Sequence, residues 1–471
     1  MTRPDWWAGT RAELAPALRD LRVAVYASGG APYHHAALVA AWGGVPEPLS
    51  AEGILAGNLD GYDVLVMPGG GLNAMGGLLA PLGTSGTARI RDWVERGGMY
   101  VGSCAGAYLG ARLPESFLDA HPEARGLHLL DLPIANAADG GLGGLDSPGV
   151  GVLRVRLTDP GHWLTRGLPD DFEIVHYNGP CFLPPAGSAL RGAVTLHALT
   201  ERFTPWEHSL PGGVQGPTLA ERLTGQDVQL AVSGPLGEGC VVLFGSHPEF
   251  GFSSLQLGWG VAARLFANAL AHQAGRRASG GRAPGNSRPT SVTLEDIAAR
   301  LDHAAARFAS LAAVPPDLVN APAFLGQRAE EVWRDALHEA AQVSAATAAY
   351  LRDLAPQRPE AGPFAPWIDH APAPGQDYGF VGLAQLAASI HRLMDVAEAH
   401  REAPPPDLTF PYDAWERSPY HLLASSYLSA AGLAACASLA AGTLGTLCGL
   451  NSVPYPLVSP PLPTEQEPAH D

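Results

Sequence analysis

A short apolar run that breaks into Gly-Ser-Cys-Ala-Gly is the feature that most constrains this chain. The run covers residues 99–101, and Gly102 and Gly106 flank Cys104 two positions away on each side. This spacing is typical of a nucleophile elbow, a sharp strand-to-helix turn in which a β-carbon at either glycine would collide with backbone. The turn exposes the sulfur at a sheet edge, where a helix N-terminus favours a thiolate. The alternative is an ordinary buried cysteine between two turn glycines.

A second strand-length apolar run, residues 241–244, precedes a histidine and a carboxylate. His247 and Glu249 follow this run, two positions apart. A thiol nucleophile needs an imidazole to accept its proton, and the imidazole needs a carboxylate to hold its tautomer. The ends of parallel strands are also where α/β enzymes place their sites. The two runs together therefore predict a catalytic triad of Cys104, His247 and Glu249.

A glycine-rich loop follows an earlier predicted strand. The strand covers residues 62–67 and ends in Pro-Gly-Gly-Gly at 68–71. Backbone amides in such a loop can converge on one point because no side chains crowd them, as an oxyanion hole requires. We expect this role for the amides of Gly70 and Gly71, together with that of Ala105 after the nucleophile. The alternative is a flexible turn.

These segments resemble the class I glutamine amidotransferase superfamily. The resemblance rests on Met-Pro-Gly-Gly-Gly, Gly-Ser-Cys-Ala-Gly and Ser-His-Pro-Glu, at residues 67–71, 102–106 and 246–249. Finer features resemble the amidotransferase-like domain at the N-terminus of some biotin–protein ligases, namely residues 25–26, 104–108 and 177–182. The resemblance covers residues 20–272. It implies a flavodoxin-like fold, a Cys-His-Glu triad and an oxyanion hole formed partly by the glycine-rich loop.

The pattern of elements predicts an α/β fold over residues 1–274. Short apolar runs alternate with amphipathic helices in the first hundred residues, which indicates a three-layer, mostly parallel sheet with helices on both faces. The helix after the first strand carries His34 and His35, which could line the site but are more often structural. A helix at 255–272 is predicted to close the domain. The remaining predicted strands cover residues 22–27, 99–101, 152–157, 173–177, 194–199, 228–232 and 241–244.

The rest of the chain predicts a second, all-α domain. A Gly-, Ser-, Arg- and Pro-rich linker covers residues 275–290, and a helical bundle covers 291–450 before a disordered tail at 451–471. The last predicted helix, 420–447, is long enough to span a bilayer, but its Ala, Ser and Gly content favours a closely packed bundle helix. The four predicted bundle helices cover 294–313, 323–354, 381–401 and 420–447.

Charge and cysteine usage exclude several classes of protein. A net charge of −17 argues against nucleic-acid binding. Five widely spaced cysteines predict neither a disulfide framework nor a zinc site, so we expect no metal and no cofactor. The first residues lack the apolar core of a signal peptide, and a reduced cytoplasm is the expected location. The expected partners are a small-molecule substrate and, through the helical domain, a protein or a second copy.

These features bear on three candidate functions. The first is a cysteine hydrolase or amidotransferase-like enzyme with Tyr108, Tyr177 and Asn178 in its substrate pocket. Glutamine-hydrolysing members carry Gly-His-Gln or similar after the elbow, and the residues here are Ala107 and Tyr108, which argues against glutamine as the substrate. The second is a silent binding or scaffolding module with the same fold. The third, a biotin–protein ligase, is rejected because its catalysis needs a lysine and the chain has none.

Overall fold

The computed structural model describes residues 13–15, 17–69, 74–136, 146–205, 217–250, 260–277, 293–313 and 329–357. Within these ranges the α/β architecture is confirmed, as one large mixed sheet flanked by helices. The predicted helices at 381–401 and 420–447 and the tail at 451–471 lie outside the described residues, so the four-helix bundle stays a prediction.

Nine strands make up the sheet in the described part of the chain. They are β1 (Arg22–Tyr26), β2 (Val45–Leu49), β3 (Val64–Met67), β4 (Met99–Ser103), β5 (Val150–Leu157), β6 (Asp171–Tyr177), β7 (Arg191–Leu199), β8 (Gln229–Leu236) and β9 (Gly239–Phe244). The helices are α1 (Tyr33–Ala41), α2 (Ala51–Leu55), α3 (Ala74–Leu79), α4 (Gly83–Glu95), α5 (Ala105–Gly110), α6 (Glu115–Ala120), α7 (Leu219–Leu223), α8 (Ala263–Arg277), α9 (Leu294–Ala312) and α10 (Ala329–Leu354).

The sheet is mixed rather than mostly parallel. Its strand order is β2-β1-β3-β4-β9-β8-β7-β5-β6. The pairings from β2 to β9 are parallel, and those from β9 to β6 are antiparallel. A tight turn at Gly237 (φ +58°) joins β8 to β9. A connection this short permits only antiparallel pairing, whereas a parallel pair needs a long crossover.

One strand, β2, is missing from the sequence-based prediction. Its five residues include Pro46 and Pro48, which lower the strand signal because proline cannot donate a ladder hydrogen bond. The strand nevertheless pairs in parallel with β1, in register from Arg22 opposite Val45 to Tyr26 opposite Leu49. It lies at the edge of the sheet, where one side of the backbone needs no partner and proline is tolerated.

Two apolar cores lie on the two faces of the sheet, and they confirm the three-layer arrangement. Side chains alternate along each strand, so Val64 and Val66 enter one core while Leu65 and Met67 enter the other. The first core also contains apolar side chains of α1 and α8. The second contains those of α2, α4 and α5. The inner parallel strands β3, β4 and β9 are buried on both faces because both faces are covered.

Helix α8 extends beyond the residues predicted for it, 255–272, into the predicted linker. Helix α8 continues to Arg277, past the predicted boundary at residue 274, and residues 278–292 lie outside the described part. Helices α9 and α10 pack against each other, and Asp302 and Arg352 form an ion pair between them. Among the described residues, no helix combines the length and apolarity needed to cross a membrane. The 420–447 segment lies outside the described residues.

Candidate active site

The backbone at Cys104 has the geometry of an elbow between β4 and α5. Cys104 adopts φ +49° and ψ −108°, a region that L-residues rarely occupy. A β-carbon at Gly102 would lie 2.5 Å from the carbonyl oxygen of Gly106, and one at Gly106 would lie 2.2 Å from that of Met67. Both glycines are therefore required by close backbone contacts, as the sequence pattern predicts.

Parallel pairing of β4 with β9 brings Cys104 and the segment that carries His247 to one sheet edge. Ser103, the last residue of β4, lies opposite Phe244, the last residue of β9. The backbone N–H of Cys104 then donates to the carbonyl of Phe244 at 3.0 Å. Beyond β9 the chain crosses the end of β6, where the N–H of His247 donates to the carbonyl of Val175 at 2.8 Å.

His247 and Glu249 form a buried pair at this edge. His247 Nδ1 lies 2.6 Å from Glu249 Oε1, and the two side chains are 3% and 1% exposed. Burial alone lowers the pKa of His247, but the charges of Glu249 and Cys104 and the hydrogen bond to Glu249 outweigh it and raise the pKa to about 10. Burial likewise raises the pKa of Glu249, and His35 and His247 outweigh it and lower the pKa to about 2. The pair therefore favours a protonated imidazole beside an ionised carboxylate.

Cys104 lies beside His247, with Gly69 against both. A β-carbon at Gly69 would lie 2.6 Å from Cys104 Cβ and 3.3 Å from His247 Cε1. The thiol of Cys104 donates to the carbonyl oxygen of Tyr177 at 3.3 Å. His247 Nε2 is buried and makes no well-formed hydrogen bond with the described residues. The three residues of the predicted triad therefore lie together, with the Sγ hydrogen bond directed to Tyr177.

Only part of the predicted oxyanion hole lies within the described residues. Gly70 and Gly71 lie outside the described residues. The contact between Gly69 and Cys104 places the start of their loop beside the nucleophile. Ala105 is the first residue of α5, and the first backbone N–H groups of a helix have no acceptor within it. Its role as an oxyanion donor stays a prediction.

The three residues predicted for the substrate pocket lie beside Cys104 and form a network within the fold. The hydroxyl of Tyr108 donates to the carbonyl of Asn178 at 3.1 Å and accepts from Asn136 Nδ2 at 2.6 Å. The side-chain oxygen of Asn178 accepts from the N–H of Gly149 at 3.1 Å. The Tyr177 side chain is 41% exposed, whereas Tyr108 is 6% exposed. The polar atoms of Tyr108 and Asn178 thus fix the backbone at residues 177–178, which lies next to Cys104.

Two further polar side chains contact the carboxylate of the site. The hydroxyl of Ser103 donates to Glu249 Oε1 at 2.8 Å. His35 Nε2 lies 3.4 Å from the same oxygen. Sequence reasoning missed Ser103, although its position before the nucleophile could have indicated a place at the site. It noted His35 but favoured a structural role, and the ring is buried next to Glu249.

An aromatic ring packs against the imidazole of His247. The ring of Phe250 stacks on His247, with centroids 4.2 Å apart and an interplanar angle of 6°. His34 contacts Phe250 edge-on at 4.6 Å. Burial lowers the pKa of His34 to about 3, so its ring is neutral at physiological pH. No group of three or more histidine, cysteine or acidic side chains could hold a metal in the part of the chain that the structure describes.

A cavity of about 320 Å³ lies away from this site, near the turn between β8 and β9. Arg191 and Arg276 line it. Each guanidinium already has a partner, since Arg191 pairs with Asp159 and Arg276 donates to the carbonyl of Glu238. The cavity contains no member of the predicted triad. We therefore do not assign it to the chemistry of Cys104.

One family model matches the chain. Residues 60–120 match the model described as biotin-protein ligase, N terminal. The matched segment includes the glycine-rich loop and the elbow. It confirms, over this segment, the resemblance noted from the sequence. No curated protein matches the chain.

The chain is also similar to solved structures at low identity. A ThuA-like protein from Bacteroides uniformis is 15% identical, with 53% of this chain and 89% of that one covered and a TM-score of 0.33. A ThuA-like protein from Parabacteroides merdae is 12% identical, with 57% and 94% covered and a TM-score of 0.31. The glutaminase domain of CTPS from Trypanosoma brucei, solved with bound acivicin, is 13% identical, with 56% and 96% covered and a TM-score of 0.32.

Proposed function

We propose that the α/β domain is a Cys-His-Glu hydrolase or amidotransferase-like enzyme that acts on an amide or related carbonyl of a small molecule. The observation that carries the proposal is the buried contact between His247 Nδ1 and Glu249 Oε1 at 2.6 Å, beside the strained elbow at Cys104. Strained backbone at a nucleophile and an imidazole paired with a carboxylate are what covalent catalysis by a thiol requires.

The reaction assigns one role to each side chain. The Cys104 thiolate attacks the carbonyl carbon, and the carbonyl π electrons move onto oxygen, where the Ala105 amide and the glycine-rich loop stabilise the charge. His247 gives its Nε2 proton to the leaving amine as the C–N bond breaks, which leaves a thioester on Cys104. A water molecule then attacks the thioester while His247 takes its proton, and the carboxylic acid and the thiolate are released. Glu249 holds the imidazole in the required tautomer.

The protonation state of His247 suits the first half of this sequence. The raised pKa keeps the imidazole protonated at neutral pH, which is the form needed to protonate a leaving amine. A thiol nucleophile also requires an imidazole beside it to handle its proton. The expected reduced compartment keeps such a thiol available.

Glutamine is not the substrate that these residues favour. The family's glutamine-holding position is occupied by Tyr108, whose hydroxyl is engaged with Asn136 and Asn178. A binding or scaffolding module is the second candidate. It is favoured by the hydrogen bond from the Cys104 thiol to Tyr177 rather than to His247, and by the 9% exposure of Cys104.

Selective alkylation distinguishes these two functions without a known substrate. Brief, substoichiometric iodoacetamide treatment at pH 7, mapped by mass spectrometry, should modify Cys104 before the other described cysteines. Burial raises the pKa of Cys181 to about 12 and that of Cys240 to about 11. At pH 7 only about one Cys181 thiol in 10⁵ is then ionised. If Cys104 labels no faster than Cys181, the enzyme proposal fails in favour of the binding module.

Two variants test whether the triad is assembled. His247→Ala should slow Cys104 labelling markedly, because it removes the imidazole that favours the thiolate. Glu249→Gln should slow it less, because it loosens only the orientation of the ring. Equal labelling in the wild type and His247→Ala would refute the triad. Turnover is then sought with a panel of small amides, with Cys104→Ser as the control for background ammonia release.

A further inference from the structure

One carboxylate oxygen, Glu249 Oε1, is contacted from three different elements. His247 Nδ1 lies 2.6 Å away after β9, the Ser103 hydroxyl lies 2.8 Å away at the end of β4, and His35 Nε2 lies 3.4 Å away on α1. The side chains of His35, His247 and Glu249 are at most 3% exposed, and Ser103 is fully buried. The position of the Glu249 carboxylate is thus restricted by Ser103 and His35 as well as by His247.

We propose that Ser103 is a positioning residue: its hydroxyl fixes the Glu249 carboxylate so that Glu249 can orient His247. This inference rests on the proposed function, because it concerns the same pair. Ser103 does not touch the reacting atoms, and it acts through Glu249. It is the residue before Cys104, so the strand that presents the nucleophile also holds the carboxylate of the triad.

The backbone around Ser103 makes its hydroxyl a rigid support. Ser103 lies opposite Phe244 in the pairing of β4 with β9, and the next N–H, that of Cys104, donates to the Phe244 carbonyl at 3.0 Å. The Ser103 Cα is therefore fixed relative to the start of the segment that carries Glu249. Only one torsion, χ1, positions the serine oxygen, and it is restricted to three staggered rotamers. The hydroxyl oxygen therefore has few possible positions.

A neutral donor is well suited to this position. A buried carboxylate is costly unless donors surround it, and a second cation on Oε1 would compete with His247 for its charge. A serine hydroxyl stabilises the carboxylate without adding charge. Burial lowers the pKa of His35, which disfavours a second cation beside Oε1. His247 is then the cation that the Ser103-supported carboxylate orients.

The test compares Cys104 labelling by iodoacetamide at pH 7 in the full-length chain. Ser103→Ala should slow labelling by about threefold to tenfold, as expected for one lost hydrogen bond in a buried network, and by less than Glu249→Gln. Ser103→Thr keeps the hydroxyl and should label like the wild type. Ser233→Ala is the matched control, because it removes a buried serine hydroxyl that lies 2.9 Å from His162 Nε2. It should leave the rate unchanged.

A spectroscopic readout separates positioning from loss of packing. A proton shared between His247 Nδ1 and Glu249 Oε1 at 2.6 Å gives a far-downfield proton resonance, assigned by its absence in His247→Ala. Ser103→Ala should shift or broaden this resonance, and Ser103→Thr should restore it. Thermal unfolding checks that each variant is folded, and Ser103→Gly replaces Ser103→Ala if the latter does not fold.

The outcomes keep the two proposals apart. Fast, His247-dependent labelling in the wild type with unchanged labelling and resonance in Ser103→Ala overturns the role of Ser103 and leaves the triad intact. Equal slowing in Ser103→Thr and Ser103→Ala also overturns it, because packing rather than the hydroxyl would be responsible. Slow labelling of Cys104 in the wild type overturns both proposals.

Discussion

The hydroxyl of Tyr108 offers the sharpest test of how the loop over Cys104 is held. Tyr108→Phe removes one oxygen that has two partners, the part-buried Asn178 carbonyl at 3.1 Å and the buried Asn136 Nδ2 at 2.6 Å. Each buried polar group left without a partner costs about 1–3 kcal/mol. Asn136 Nδ2 also donates to the Asp146 carbonyl at 2.8 Å, so its loss is partly compensated. The expected loss of unfolding free energy is about 2–4 kcal/mol.

Urea unfolding followed by fluorescence measures this loss, with Tyr100→Phe as the matched control. Tyr100 is fully buried, and its hydroxyl makes one hydrogen bond, to the Gly106 carbonyl at 2.7 Å. Its variant should lose about 1–2 kcal/mol, less than Tyr108→Phe. If Tyr108→Phe is as stable as Tyr100→Phe, the two hydrogen bonds of the Tyr108 hydroxyl do not both contribute to stability, and the reasoning is refuted.

The same variant should change access to the nucleophile. Asn178 adopts φ +50°, a costly conformation that persists only where surrounding contacts enforce it. Without the Tyr108 hydroxyl, the Tyr177–Asn178 backbone should relax away from Cys104. Iodoacetamide should then label Cys104 faster than in the wild type while Cys181 labelling stays slow. Slower Cys104 labelling would show that the loop supports the thiol rather than covers it.

Three further outcomes follow from the structure and sequence. Gly106→Ala should lower the free energy of unfolding by about 1–3 kcal/mol or more, because its β-carbon would clash with Met67. Gly275→Ala is the control and should not lower it, because its β-carbon would meet nothing within 4 Å. Thermal unfolding of the two variants measures the difference. Because the pKa of His247 is raised from 6.5 to about 10, its contribution to stability is complete below about pH 6.5 and is lost as the pH rises through 10. Urea titrations from pH 6 to 10 should therefore show a loss on the order of a few kcal/mol that His247→Gln lacks, and parallel curves would contradict the raised pKa. Limited proteolysis should cut first between residues 278 and 290, and earlier cuts within β5 to β8 would refute the domain boundary.

The strands that the sequence predicts are those whose signal is local. Runs such as 22–27 and 241–244 are apolar on both faces, and they appear in the sheet within two residues of the predicted ends. The elbow is equally local, because its glycines and Cys104 occupy five consecutive positions. Strand β2 is not predicted because its two prolines are unfavourable in most strands. They are tolerated here because β2 lies at the edge of the sheet, a position that the sequence does not reveal. The antiparallel half depends on turn geometry, for which the apolar pattern carries little information.

The missed parts of the site depend on contacts between distant residues. Ser103 and Glu249 are 146 positions apart, and no spacing rule connects them. The sequence pattern marked Tyr108 as a difference from the family, but not that Asn136 and Asn178 engage its hydroxyl. Residue type indicates which chemistry is available, whereas partners of a buried polar group are decided by register and packing.

The position of β9 sets when this site can exist during synthesis. Among the described residues it is the last strand of the sheet, yet it lies between β4 and β8 and is the strand that joins the parallel and antiparallel halves. A chain that ends before Gly239 leaves two sheet edges unpaired at the centre of the domain, a state prone to wrong pairing. It also leaves Cys104 without His247 and Glu249. The two halves of the sheet can therefore join, and the proposed triad can form, only after β9 and the segment that follows it have been synthesised.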